Sequence, residues 1–358
     1  MENRMILVIN PGSTSTKIAV YEDSRSVFVK TIRHTIDELR PFDTVADQLN
    51  FRKDLVMKEL QSEQIDLHQI TIIMGRGGMI RPVESGVYEV NDLMKNDLRN
   101  GLQGEHASNL GGLIADEIAQ ILPGAKAYIA DPVVVDELQD IARITGLPLF
   151  ERRSIFHALN QKAVARSYAH SIHRDYEDMN LIVVHLGGGI SIGVHLKGRV
   201  IDVNQALDGE GPMSPERSGS LPMGDLLKAS FSGQYDYKTL QRLINGEGGY
   251  VAYFGTNDAY KIEQMANNGD SKALLIQRAL GYQVAKYIGA SAAVLEGIVD
   301  AIILTGGLAH NKTLTEMISK HVSFIAQVLV YPGEDEMKAL AMNALLILTG
   351  QIVPKEYK

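Results

Sequence analysis

Apolar positions along this chain fall into two alternating periods. Short continuous runs, Met5–Ile9, Ile70–Met74, Ala127–Ala130, Leu181–Val184, Val299–Leu304 and Gln327–Tyr331, read as buried strands. Between them, apolar residues three and four apart predict helices. Val45, Leu49, Leu55, Val56 and Leu60 do so over 44–63, and Leu110, Leu113, Ile114, Ile118 and Ile121 over 109–122. An Ala- and Leu-rich stretch predicts a long helix over 271–296, and an apolar stripe a last one over 336–350. Asp131-Pro132 reads as the N-cap and first turn of a helix over 132–145, closed by Gly146 and Pro148. Ser154 reads as the N-cap of a helix over 155–173. The stretches 22–35 and 208–224 are polar and carry no period; the second is long enough to be a functional loop. Strands alternating with helices give the α/β class.

The first strand enters Asn10-Pro11-Gly12-Ser13-Thr14-Ser15-Thr16-Lys17, and an alternating run, Ile18–Tyr21, leaves it. A glycine, several hydroxyls and a lysine in one tight turn form a donor set for an anion, most simply a phosphate. A solvated hairpin is the alternative. The turn is not a P-loop, because no G-x-x-x-x-G-K-[ST] occurs and a strand, not a helix, follows Lys17. The pattern recurs at Leu181–Val194, where Val183-Val184-His185 overlies Val8-Ile9-Asn10 and Gly187 overlies Gly12. A domain that begins twice suggests duplication. Two such turns could hold one polyphosphate from two sides, with Asn10, Ser13 and Ser15 better placed for contact than Lys17.

Composition narrows the classes. At 358 residues the chain exceeds the ~250–300 at which one core usually stops growing, so two domains are expected. A formal net charge of −8 argues against a general nucleic-acid or anionic-membrane surface. With no cysteine, thiolate metal sites, disulfides and cysteine nucleophiles are excluded. No apolar run reaches the ~18 residues of a spanning helix, and a strand begins within a few residues of the start, leaving no room for a signal peptide. The expected location is cytoplasmic.

Other residues carry both a chemical and a structural reading. Arg76 lies among Gly75, Gly77 and Gly78 at a strand end, where a ligand can approach or a plain turn can form. His106 precedes a helix, and His157 falls in the first turn of one; each could meet an anion or simply pack. Asp131 has its capping role, or faces ligand as a carboxylate at the carboxyl end of a strand. Arg217, in the 208–224 loop, could stabilise charge on a transferring phosphoryl or lie on the surface. Thr305-Gly306-Gly307-Leu308-Ala309-His310-Asn311 follows a strand and precedes a helix, a geometry that lets a base or ribose lie on backbone.

The order of these pieces resembles the superfamily of actin, the sugar kinases and the heat-shock chaperone ATPases. Within it the chain is similar to the acetokinase family of short-chain carboxylate kinases. The residues that carry the resemblance are Asn10–Lys17, His185-Leu186-Gly187-Gly188-Gly189-Ile190-Ser191, Leu207–Pro212, Ser214–Gly219 and Thr305–Leu308, over roughly residues 5–350. It implies an α/β fold of two duplicated actin-like ATPase (ribonuclease H-like) domains around an interdomain cleft. The N-terminal acyl-substrate and phosphate domain would span 1–155 plus 336–358, and the C-terminal nucleotide-binding domain 156–335. The implied reaction moves the γ-phosphoryl of ATP to a short fatty-acid carboxylate, butyrate or a branched analogue, leaving ADP, with Mg²⁺ and reversibly. The implied partners are those two substrates and a second copy of the chain, with no nucleic acid and no membrane.

By position, the resemblance puts Asn10, Ser13, Ser15 and Lys17 on the phosphate side, and His185, Gly187, Gly188, Gly189, Gly306, Gly307 and Asn311 on the nucleotide. His106, Asp131, His157 and Arg217 line the transfer step, with Phe156 at the acceptor. Glu336 approximates the family's magnesium-associated glutamate, with Asp131 as a second candidate. Where relatives carry His-Arg-Val-Val-His-Gly-Gly, this chain has Ile72–Gly78. Their substrate arginine falls on Ile73, so Arg76 is the substitute, and a pocket valine falls on Gly75, which implies room for extra methylenes. Each methylene is worth only ~1–3 kcal/mol of discrimination, so a preference follows. Their Leu-Gly-Asn-Gly is Leu186-Gly187-Gly188-Gly189 here, which leaves backbone N–H groups to replace an asparagine. The alternatives are a sugar or polyol kinase of the same superfamily, with Asp131 as base, and an actin-like or chaperone-like ATPase switch.

Overall fold

The computed structural model describes residues 5–358. By internal contact the chain divides into Met1–Val135 with Asp335–Lys358 (unit 1) and Asp136–Glu334 (unit 2).

Unit 1 is built on a six-stranded sheet. Its strands are β1 (Met5–Gly12), β2 (Ser15–Glu22), β3 (Arg25–Arg33), β4 (Ile70–Arg76), β5 (Val87–Glu89) and β6 (Lys126–Ala130), in the order β3-β2-β1-β4-β6-β5. β1, β2 and β3 form an antiparallel meander, and β4 and β6 add in parallel. Ile6, Leu7, Val8 and Ile9 are all fully buried, as a strand covered on both faces requires. Each such aliphatic contributes about 1.5–3 kcal/mol. The helix Asn109–Ile121 packs on β4 and β6, and the helix Glu336–Leu348 on β1 and β4.

Unit 2 holds a five-stranded sheet of β7 (Asn180–Leu186), β8 (Ile190–Leu196), β9 (Arg199–Val203), β10 (Ala301–Gly306) and β11 (Val328–Pro332), in the order β11-β10-β7-β8-β9. The winding is that of unit 1: meander first, then two parallel strands. The two-residue period of a strand divides β7 between two cores. Ile182, Val184 and Leu186 join Leu280, Val284, Ile288, Leu314 and Ile318, while Leu181 and Val183 pack with Ala165, Tyr168 and Ala169.

Three elements differ from expectation. The polar stretch 22–35 contains β3, because an antiparallel strand with one exposed face needs few apolar residues. The helix expected over 132–145 is a turn at Pro132–Val135 and one short helix, Asp140–Arg143. Asp131 is not its N-cap: its φ is +37°, and the Gln139 N–H is drawn to Ile201 O in β9 instead of into a helix. The helix expected over 155–173 runs Ala158–Ser171, with His157, not Ser154, at its N-cap. His157 N–H is engaged by Ser191 Oγ at 3.4 Å, which holds the first residues out of the helix. No helix among the described residues is long and apolar enough to cross a membrane.

Candidate active site

Unit 1 gathers chemistry at the carboxyl ends of β1, β4 and β6, where open α/β sheets bind ligands. Asn10 on β1 donates from Nδ2 to Glu336 Oε2 at 2.6 Å, and its Oδ1 accepts from Arg76 Nη1 at 3.4 Å. Arg76 Nη2 lies 3.0 Å from Glu336 Oε1. Three residues that are far apart in sequence thus close one polar triangle.

The Asn10–Lys17 turn is braced by a residue the sequence did not flag. Arg52, in the helix Leu49–Ser62, is 1% exposed, and among the described residues no carboxylate pairs with it. Its Nη1 donates to Gly12 O at 2.7 Å and Ser15 O at 3.0 Å; its Nη2 donates to Ser13 O at 3.0 Å. Gln48 Oε1 accepts from Nε and Nη2. Burial pushes the Arg52 guanidinium down to about 10. A trans peptide is planar, so carbonyls of Gly12 and Ser13 turned toward Arg52 aim the N–H groups of Ser13 and Thr14 the opposite way. N–H groups so aimed, beside exposed Ser13 and Thr14 side chains, are donors of the kind that meet an anion. Lys17 is exposed on β2, and Ser15 is half-buried.

Asp131 closes β6 at 2% exposure, with Ser85 Oγ and Gly86 N donating to its Oδ1 at 2.6 and 2.8 Å. A buried non-glycine residue at φ +37° is a strained one, and such strain concentrates at functional sites. His106 is exposed, and its Nδ1 accepts from Ser108 N at 3.2 Å.

Gly75 does not provide room for methylenes. A Cβ there would lie 2.2 Å from Gly111 O, and one at Gly111 would lie 2.2 Å from Arg76 O. The two glycines let the Asn109–Ile121 helix rest on the β4 backbone, so Gly75 is a packing residue.

In unit 2 the structure brings most of the expected residues together. His185 on β7 stacks on His157, with ring centroids 3.7 Å apart and planes within 9°. Asn160 Oδ1 lies 2.8 Å from His185 Nδ1, and Glu334 Oε2 lies 3.5 Å from Nε2. The glycine turn between β7 and β8 fits these side chains. A Cβ on Gly187 would meet His185 Nε2 at 2.8 Å, and one on Gly189 would overlap the Arg217 guanidinium. A Cβ on Gly188 would reach the Glu216 carboxylate at 3.4 Å, ordinary contact. Gly187 N donates to Gly189 O at 3.1 Å, so its N–H is spent inside the turn. The 208–224 segment has no helix or strand up to residue 222 and docks on this turn: Ser214 Oγ donates to Gly188 O at 2.5 Å. Arg217 donates to Ala206 O and, at 3.2 Å, to Asn245 Oδ1; burial lowers its guanidinium below the ordinary value.

Gly306, at φ +90°, lies on the Leu186 backbone and exchanges hydrogen bonds with Gly333. Nothing stands within 4 Å of where a Cβ on Gly307 would be, so that face of the backbone is open. Asn311 caps the helix Lys312–Val322 by accepting from Leu314 N at 2.9 Å. Phe156 is 2% exposed.

Two sheets wound alike, each with a polar turn after its first strand and polar side chains at the ends of its parallel strands, define the two-domain actin-like ATPase fold. Known proteins agree with this and go further. A P. gingivalis (Porphyromonas gingivalis) acetate kinase structure superposes with a TM-score of 0.81 at 21% identity, covering 96% of this chain and 100% of that one. A propionate kinase from Francisella tularensis does so at 0.74 and 18% identity, covering 95% and 98%. A family model described as the acetokinase family matches residues 148–330. Butyrate kinase 2 of Clostridium acetobutylicum is 54% identical over 353 residues, 99% of each chain. This chain belongs to the acetokinase family.

Proposed function

We propose that this chain transfers the γ-phosphoryl of ATP to the carboxylate of a short fatty acid, butyrate or a branched analogue, giving an acyl phosphate and ADP reversibly. The observation that carries this is the 54% identity to a butyrate kinase along the whole of both chains. The acceptor needs no general base, since a carboxyl of pKa roughly 4 is ionised at pH 7. The demand is to bring two anions together, and phosphoryl transfer is largely positioning and charge stabilisation. In unit 1, Arg76 holds the acceptor carboxylate, and the Ser13 and Thr14 N–H groups, with Asn10 and Ser15, hold phosphate. In unit 2, Arg217 and His157 hold the equatorial oxygens in flight. The backbone at Gly188, Gly189, Gly306 and Gly307 carries the nucleotide.

Among the described residues no three His, Cys, Asp or Glu form a metal cage. Mg²⁺ usually rides on substrate phosphates with one or two carboxylates and several waters. Glu336 and Asp131 are the oxygen donors that would hold it, and it would supply charge neutralisation between phosphates. Exposed Ile141, Ile144, Leu149 and Phe150 support self-association, which light scattering of the purified chain tests. The sugar-kinase alternative needs Asp131 as a base, yet its Oδ1 is already taken up as acceptor for Ser85 Oγ and Gly86 N. Incubation with ATP, Mg²⁺ and acids from acetate to valerate, trapped with hydroxylamine, tests the proposal: only an acyl phosphate gives the hydroxamate.

A further inference from the structure

His157 belongs to a buried polar chain that runs into the interior of unit 2, and the chain's donors and acceptors can be assigned one at a time. Gln161 reaches Ser191 O at 3.1 Å and Ser191 Oγ at 2.8 Å from one end of its amide, and His195 Nε2 at 3.0 Å from the other. A carbonyl only accepts, so the end at Ser191 is the NH₂ and the end at His195 is the oxygen. His195 Nε2 therefore carries a hydrogen. Full burial and the nearby Lys162 and Arg166 keep that ring neutral, so its Nδ1 accepts from the Tyr176 hydroxyl at 2.7 Å.

The same logic continues toward the surface. Ser191 is fully buried. Its Oγ receives hydrogens from Gln161 Nε2 and from His157 N. Among the described residues, the acceptor within reach of its own hydrogen is His157 Nδ1 at 2.9 Å. A protonated Nδ1 on His157 would place three donors around Ser191 Oγ and leave the buried hydroxyl hydrogen without an acceptor, which is costly in the interior. His185 is stacked on His157 from β7, and Glu334 sits by His185 Nε2.

We propose that Ser191 and Gln161 are positioning residues that hold His157 as a neutral imidazole with its hydrogen on Nε2, making it a hydrogen-bond donor and not a cation toward the phosphoryl oxygens. This rests on the placing of His157 at the transfer step. A neutral donor leaves the positive charge of the step to Arg217 and Arg76 and exchanges no proton with the phosphate.

The test is the imidazole nitrogen NMR spectrum of the full chain labelled with ¹⁵N-histidine, His157 being assigned by its loss in His157→Gln. The expected pattern is a bare Nδ1 and a protonated Nε2, kept at pH 5.5, where an unconstrained histidine would be about 90% imidazolium. In Ser191→Ala the ring becomes imidazolium at pH 5.5, and kcat falls about tenfold with KM for ATP unchanged. Gln161→Leu gives the same two changes in weaker form should Ser191→Ala fail to fold. An imidazolium or an Nδ1–H tautomer in the wild type overturns the proposal, as does a folded Ser191→Ala with the wild-type spectrum and kcat. Hydroxamate formation by the wild type is scored separately, so failure of the proposed reaction is not confused with failure of the tautomer assignment.

Discussion

Replacing Arg52 by methionine should separate stability from catalysis. Burial lowers its guanidinium from the ordinary arginine value to about 10. At about 1.4 kcal/mol per unit, the charge costs the fold roughly 3 kcal/mol. The sign is that of a base depressed on folding: the cost is present at every pH below about 10 and is relieved only as pH rises from there toward the ordinary arginine value. Methionine of similar length removes this cost but leaves Gly12 O, Ser13 O, Ser15 O and Gln48 Oε1 without their donor. Each orphaned acceptor costs about 1–3 kcal/mol where water does not reach. The two effects oppose, and the net destabilisation should stay near 3 kcal/mol, about 6–12 °C in Tm. The kinetic loss is larger. Without the clamp the Ser13 and Thr14 N–H groups are no longer aimed, and two bonds to a charged oxygen at about 1.5–3 kcal/mol each give roughly 10²–10⁴ in kcat/KM for ATP. Hydroxamate kinetics and thermal melts on Arg52→Met and Arg52→Lys measure both, and lysine, a single point charge, should recover only part of the activity. A folded Arg52→Met with kcat/KM within about threefold of wild type would refute the clamp.

Other expectations follow from the same geometry. Gly75→Ala should cost at least about 1–3 kcal/mol by overpacking against Gly111, seen in urea titrations, with the butyrate-to-acetate ratio of kcat/KM unchanged; a shifted ratio would restore Gly75 to the pocket. Arg217→Ala should lower kcat at least about a hundredfold, a loss larger than its lost bonds to Ala206 O and Asn245 Oδ1 cost the fold, and near wild-type turnover would remove Arg217 from the step. His34 is buried against Thr16, its Nδ1 has no partner among the described residues, and desolvation and Arg52 hold it down to about 4. Its lowered value makes stability complete above the ordinary histidine range and lost as pH falls toward 4. Unit 1 should therefore lose about 2 kcal/mol between pH 7 and 5, and His34→Leu should flatten that slope.

How much was legible in the sequence follows from where each signal lies. The two turns at Asn10–Lys17 and His185–Ser191 are local, and hydroxyls and glycines between apolar runs announce them; the matching sheet orders bear out the duplication. The long helix and the 208–224 loop are likewise set by local period or its absence. What failed was tertiary. Asp131-Pro132 carries a capping signal, but a bond from Gln139 to β9 competes for the segment and wins. Gly75 looked like missing volume because its contact, Gly111, lies on a helix that only the fold brings to it. Nothing in the sequence around Arg52 tells that four of its six hydrogen bonds end on a turn some 40 residues away, the other two on Gln48. Ser191 and Gln161 were unremarkable for the same reason: their roles exist only as a chain of bonds.

The account stands or falls on what accepts the phosphoryl group. Purified protein with ATP and Mg²⁺ should form hydroxamate with butyrate or a branched short-chain acid, in larger amount than with acetate, and ADP in equal measure. ADP release without hydroxamate from any acid between acetate and valerate, whether alone or with a sugar as acceptor, would contradict it.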